Sequence, residues 1–137
     1  AGMKLFVDTG GWLSAFNPRD QFYPRVRSQL QEIVGQSHRL ITTDYVLDET
    51  ITSLMNAVYH AAAEKFAVWA LAQRHIQVIH VNEALWDEAF TLFRRYDDKK
   101  FSFTDCTSFV IMRQQKLREA FGFDSHFEQM GFRLWPR

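Results

Sequence analysis

Asp8, Glu49, Asp105 and Asp124 are widely spaced acids in a chain of 137 residues, each placed where an open α/β fold could bring it to one crevice. Asp8 ends the apolar run Leu5-Phe6-Val7, and Asp124 follows the apolar stretch Ala120-Phe121-Gly122-Phe123. Glu49 lies early in a helical segment after Leu40-Ile41-Thr42-Thr43, and Asp105 opens another helix after Phe101-Ser102-Phe103-Thr104. In an open, mostly parallel sheet, ligands bind beyond the carboxyl ends of the strands. Like charges gathered there repel, so the cluster needs protons or a hard cation to persist. Oxygen-only donors suit a Mg²⁺-type site, and an acidic crevice holding such an ion serves phosphoryl chemistry broadly.

The elements that must position these acids alternate short apolar runs with longer helical patterns, which predicts βα units. Lys4-Leu5-Phe6-Val7-Asp8 reads as a buried parallel strand, and Gly10-Gly11 as a tight turn into a short helix from Trp12 to Phe16. Asn17-Pro18-Arg19-Asp20 reads as a turn. Val26, Leu30, Ile33 and Val34 recur at helical spacing between Tyr23 and Val34, and Arg39 to Thr42 is a second strand. Asp44 to Tyr59 is a helix with Leu47, Ile51, Leu54, Met55 and Val58 on one face, and Glu64 to Arg74 continues helically after an alanine run. Ile76 to Val81 is a third strand, and Glu83 to Tyr96 an amphipathic helix. Asp105 to Leu117 is a helix for which Ser102 supplies a Ser-x-x-Asp cap. Short strands near Phe121 and at Arg133-Leu134-Trp135 complete the sheet.

Composition sets the outer bounds. A hydrophobic content of 47% with thirteen phenylalanines supports a dense core and leaves apolar surface for a partner. The length fits one domain, expected over residues 3–137, because Ala1-Gly2 before Met3 looks like an expression scar. Sixteen basic and sixteen acidic residues cancel, so nucleic-acid binding must rely on local patches. Cys106 is the only cysteine, which excludes an internal disulfide and fits a cytoplasmic protein. No apolar run approaches a membrane span, and no signal-peptide pattern is present.

Each acid also has a structural reading. Asp8 could cap the helix that follows it. Glu49 belongs to a polar stripe with Tyr45, Thr52, Ser53 and Asn56 that could line a groove or face water, and Asp48 competes with it. Asp105 could serve the helix macrodipole, and Asp124 could cap a turn or helix before His126. The functional reading depends on all four together.

Taken together, Phe6-Val7-Asp8-Thr9, Asp44-Tyr45-Val46-Leu47-Asp48-Glu49-Thr50, Ser102-Phe103-Thr104-Asp105-Cys106 and Phe123-Asp124-Ser125-His126-Phe127 resemble the PIN-domain nucleases, particularly VapC-type toxins. The resemblance spans essentially the whole chain. It implies a three-layer α/β/α sandwich around a central, mostly parallel sheet. It also implies that Asp8, Glu49, Asp105 and Asp124 are the catalytic, metal-binding acids for Mg²⁺ or Mn²⁺. Asp8 and Asp105 would be the central ligands, Glu49 would complete the site, and Asp124 would favour a second metal or act through water. Thr9 and Thr104 match small hydroxyl positions that could hold a water beside the metal. The implied activity is endonucleolytic cleavage of single-stranded or loop RNA, as the toxin of a toxin–antitoxin pair with a small cognate antitoxin. A housekeeping nuclease in RNA processing and a catalytically silent RNA- or protein-binding module are the alternatives. The resemblance also favours a homodimer.

Other features carry less. The run Arg94-Arg95-Tyr96-Asp97-Asp98-Lys99-Lys100 reads as a solvated, self-neutralised loop before an RNA-phosphate contact, and Arg19, Arg25 and Arg27 invite the same weighing. Trp12 and Phe16 could stack on unpaired bases, although core or dimer packing suits them better. Of the five scattered histidines only His126, beside Asp124, is near the proposed site, where a surface role suits it better than a catalytic one, and Cys106 reads as a small buried residue. No histidine–cysteine spacing suggests zinc, and no Gly-rich phosphate loop is present.

Overall fold

Strand β1 (Lys4–Val7) forms the middle of a parallel five-stranded sheet in the computed structural model, which describes residues 2–36 and 38–135. Helices α1 (Thr9–Phe16) and α2 (Tyr23–Gly35) lead to β2 (Arg39–Thr43). Helices α3 (Asp44–Ala57) and α4 (His60–Ala72) precede β3 (Ile76–Ile79), followed by α5 (Glu83–Arg95) and α6 (Phe103–Gln114). Strand β4 (Glu119–Phe121), helix α7 (Ser125–Gln129) and β5 (Arg133–Trp135) end the described chain.

The strand order is β3-β2-β1-β4-β5, with Phe6 opposite Ile41 on one side and opposite Ala120 on the other. From β1 the chain therefore builds outward through β2 and β3, then returns to add β4 and β5 on the far side. Connections leaving β1 and β4 diverge, so a crevice opens at their carboxyl ends. This is the sandwich expected from the sequence. Helices α1 to α4 pack together, and α5 packs on α6. Alternation along β1 sends Phe6 to one face and Leu5 and Val7 to the other. One aromatic cluster joins Trp12, Phe16, Phe66 and Trp69, and another joins Phe6, Phe109, Phe127 and Phe132.

Several boundaries differ from those predicted, each for a physical reason. The predicted Gly10-Gly11 turn is the first turn of α1: Asp8 is extended, and its carbonyl accepts from the N–H groups of Gly11 and Trp12. Glycine is needed at position 11 for proximity, because a Cβ there would lie 2.4 Å from the Phe121 carbonyl oxygen. The helix predicted through Tyr59 ends at Ala57, and α4 starts afresh after Tyr59, whose backbone is extended. Met55 is exposed; Val46 and Thr50 take its place on the buried face, where the Thr50 hydroxyl donates to the Val46 carbonyl at 2.7 Å. Trp12 is wholly buried and donates from Nε1 to Thr42 Oγ1, so its role is in the core and not in base stacking. Strand β3 stops at Ile79, two residues short of the predicted Val81; the Val81 N–H is taken instead by the Asp44 carboxylate.

The close approach of α1 to β4 gives a first prediction. Gly11→Ala should destabilise the fold by about 1–3 kcal/mol through forced backbone displacement and should loosen the seam carrying Asp8. Denaturant unfolding of the two proteins checks this, and equal stabilities would show that the seam can yield freely.

Candidate functional site

Asp8 sits at the seam between the two halves of the sheet. Its N–H donates to the Phe121 carbonyl at 3.1 Å, and Gly122 lies so close that a Cβ there would be 3.3 Å from the Asp8 Cβ. It occupies the N-cap position of α1, yet its side chain makes no capping hydrogen bond. The carboxylate is only 5% exposed, and burial pushes its pKa from 3.8 to about 7. The Thr9 N–H works against that rise, while Asp105, Asp124 and Glu49 add to it through like-charge repulsion. Asp105, Asp124 and Glu49 therefore lie close enough to Asp8 for their charges to act on it.

Asp105 and Asp124 each do two things at once. Ser102 and Asp105 form a reciprocal capping box on α6: the Asp105 N–H donates to Ser102 Oγ at 2.9 Å, and the Ser102 N–H donates to Asp105 Oδ2 at 3.0 Å. Asp124 caps α7, accepting from the His126 N–H at Oδ1 across 2.9 Å. Among the described residues, Asp105 Oδ1 and Asp124 Oδ2 have no donor. Capping thus fixes each carboxylate while leaving one oxygen of each undonated. Burial raises the Asp105 pKa, opposed by its hydrogen bonds to Ser102 and His126.

His126, which the sequence places beside the site but ranks as a surface histidine, packs against two of the acids. Its Nδ1 lies 3.0 Å from Asp105 Oδ2 and 3.3 Å from Asp124 Oδ1. The surface reading failed because α7, one and a half turns long, swings the ring inward onto α6. The only signal was its position two residues after Asp124.

The arrangement fits a hard divalent cation. One ligand atom from each of Asp105, Asp124 and His126 lies within 4.8 Å of the others. Thr9 Oγ1, beside Asp8, is buried with no hydrogen-bond partner, an orphan that a ligand or its water shell would satisfy. Thr104 is half-buried, and its carbonyl accepts from the Thr107 hydroxyl.

The description "PIN domain" matches residues 5–133. The chain belongs to the PIN-domain family. Over 128 residues, covering 93% of this chain and 95% of the relative, it is 31% identical to the 23S rRNA-specific endonuclease VapC20 of Mycobacterium tuberculosis. It is also 28% identical, over 91% of its length and 80% of the relative's, to a VapC ribonuclease of Archaeoglobus fulgidus. The crystal structure of M. tuberculosis VapC20, described as a sarcin-ricin loop cleaving toxin, matches with a TM-score of 0.84 over 93% of this chain and 95% of that one, at 30% identity. VapBC2 of Rickettsia felis shares the fold, with a TM-score of 0.68 at 12% identity over 96% and 97% of the two chains.

Aromatic side chains lie close in the chain to two of these acids. Phe123, next to Asp124, stacks on Phe22 with ring centroids 4.9 Å apart, and both are exposed. On α6, Phe103 precedes Asp105 and packs against Tyr45, Trp86 and Phe93. The arginines of the first loop are engaged locally: Arg27 lies over Phe16 and donates to the Ala15 carbonyl, and Arg19 donates to the Ala57 carbonyl. In the later basic run, Lys99 pairs with Asp98 at 3.8 Å, in keeping with a self-neutralised loop. Cys106 is buried as expected, and burial with the Asp105 charge pushes its thiol up to about 11. No helix among the described residues is long and apolar enough to cross a membrane.

Proposed function

We propose that this PIN domain is a metal-dependent endoribonuclease acting as the toxin of a toxin–antitoxin pair. The observation that carries the reading is the meeting of Asp105 and Asp124 around His126, beside the β1/β4 seam where Asp8 is buried and feels the like charges of Asp105, Asp124 and Glu49. Asp8, Asp105 and Asp124 would hold Mg²⁺ or Mn²⁺, with Glu49 at the open edge. A divalent cation bound there supplies charge relief on the phosphate and an acidified water for hydrolysis. The chain itself holds the acids at fixed positions, through the capping box at Ser102 and the cap at Asp124, and so removes their freedom before substrate arrives. Exposed Phe123, stacked on Phe22 beside Asp124, offers a face on which unpaired bases can stack, which suits a single-stranded or loop RNA.

The nuclease must be restrained in its own cell, and a small antitoxin is the partner we propose. An arginine from it could pair with the undonated oxygens of Asp105 and Asp124 and compete with the cation. Incubating the purified protein with total RNA, with Mg²⁺ or Mn²⁺ and with chelator, then mapping new ends, tests the activity. 23S rRNA is the first substrate to examine, given the name of the 31% identical relative. Expression alone should arrest growth, co-expression of the adjacent small gene should relieve it, and Asp8→Asn should be harmless. Harmless expression of an RNA-cleaving wild type would favour a housekeeping nuclease instead.

A further inference from the structure

We propose that His126 is a positioning residue of this site: its imidazole Nδ1–H is hydrogen-bonded to one oxygen of Asp105 and lies against one of Asp124, leaving the other oxygen of each for a divalent cation. The inference rests on the metal-dependent reading above and adds a residue to it. Ionised carboxylates only accept hydrogen bonds, so the ring nitrogen bonded to Asp105 Oδ2 at 3.0 Å is the donor, and the same nitrogen lies in electrostatic contact with Asp124 Oδ1 at 3.3 Å. The same two oxygens also take the backbone donors: Ser102 N–H on Asp105 Oδ2, and the N–H of His126 itself on Asp124 Oδ1. Every donor the described residues offer these two acids thus falls on one oxygen of each, and the opposite oxygens stay open. That division is what a shared cation needs from two carboxylates on different helices.

The ring is itself held. Phe101 meets it edge-on at 5.2 Å, and Phe101 is packed in turn by Tyr96 and Phe109. His126 therefore links α7 to the start of α6 and sets the spacing between Asp105 and Asp124, which the two separate caps alone would leave independent. Outer groups that orient ligands in this way change metal affinity or activity by about 10–100-fold when removed.

Asparagine places an amide nitrogen on the same atom count from Cβ as Nδ1, whereas glutamine sets it one carbon further out. Calorimetric titration of Mn²⁺ into full-length wild type, His126→Asn, His126→Gln and His126→Ala separates the cases, with Asp105→Asn as control and thermal melts to verify folding. Alanine and glutamine should weaken Mn²⁺ binding about 10-fold or more, and asparagine should recover most of the loss. In RNA cleavage, alanine should lower kcat and leave KM unchanged. The electron paramagnetic resonance of bound Mn²⁺ should show no directly coordinated nitrogen. Wild-type affinity in a folded His126→Ala protein, with binding lost in Asp105→Asn, overturns the positioning role alone. A coordinated-nitrogen signature that vanishes in His126→Ala overturns it too, by making His126 a ligand. A wild type that binds no Mn²⁺ sinks the metal reading and this inference with it.

Discussion

Asp8→Asn and Asp105→Asn should each lower RNA cleavage by about 10³-fold or more, corresponding to about 4 kcal/mol of lost transition-state stabilisation. Asparagine is chosen because it keeps volume and an accepting oxygen. In Asp105→Asn the amide oxygen can still accept from the Ser102 N–H, so the α6 cap survives while the charge is lost. Asp8 makes no capping hydrogen bond through its side chain, so its replacement removes no helix-cap partner. Glu49→Gln and Asp124→Asn should impair cleavage less, since Glu49 is exposed and the Asp124 side chain is 34% exposed, where water can partly substitute. Asp48→Asn should be nearly silent. Rates measured on one RNA under saturating Mn²⁺, with circular dichroism to confirm folding, decide the matter. Full activity in both Asp8→Asn and Asp105→Asn would remove the site from consideration, and an Asp48→Asn defect equal to that of Glu49→Gln would reassign the third acid.

The positions of Asp8 and Asp105 were legible in the sequence because both are marked by local physics. An acid closing the apolar run Leu5-Phe6-Val7 marks a strand end, and Ser102-x-x-Asp105 is a local capping pattern that the structure forms in full. The parallel sheet was legible from the alternation of apolar runs and helical periods. What failed depended on contacts between distant segments. Gly10-Gly11 looked like a turn because glycine is locally permissive, whereas the true constraint is the Phe121 carbonyl pressed against Gly11 from another strand. His126 looked like a surface histidine because nothing within its own segment announces that α7 brings it to Asp105, twenty-one residues away in the chain. Thr50 was passed over as a core residue because its hydroxyl is polar, and only the helix geometry shows that hydroxyl satisfied by the Val46 carbonyl.

The crowding of carboxylates proposed to hold the cation should also destabilise the metal-free protein as pH rises. The Asp8 carboxyl holds its proton to about pH 7 when folded, against 3.8 when exposed. The folded state therefore binds the extra proton between those values. The stability this contributes is complete below pH 3.8 and is lost as pH climbs through 7. For a carboxyl this buried, the loss is on the order of 4 kcal/mol, and Asp105, raised in the same direction, adds to it. Asp8→Asn cannot lose it. In chelator, the difference in Tm between Asp8→Asn and wild type should be near zero at pH 4 and should grow to roughly 10 °C in favour of the variant at pH 8. Adding Mn²⁺ at pH 8 should reverse the order, because a ligand at 100 times its Kd stabilises the protein that binds it by about 2.7 kcal/mol and Asp8→Asn would lack one of the proposed ligands. The two arms test one cause from opposite sides, since a site that repels itself when empty is held together when filled. Parallel melting curves for the two proteins across pH 4–8, or an unchanged wild-type Tm in millimolar Mn²⁺, would mean that these carboxylates are stabilised by something other than protons and metal.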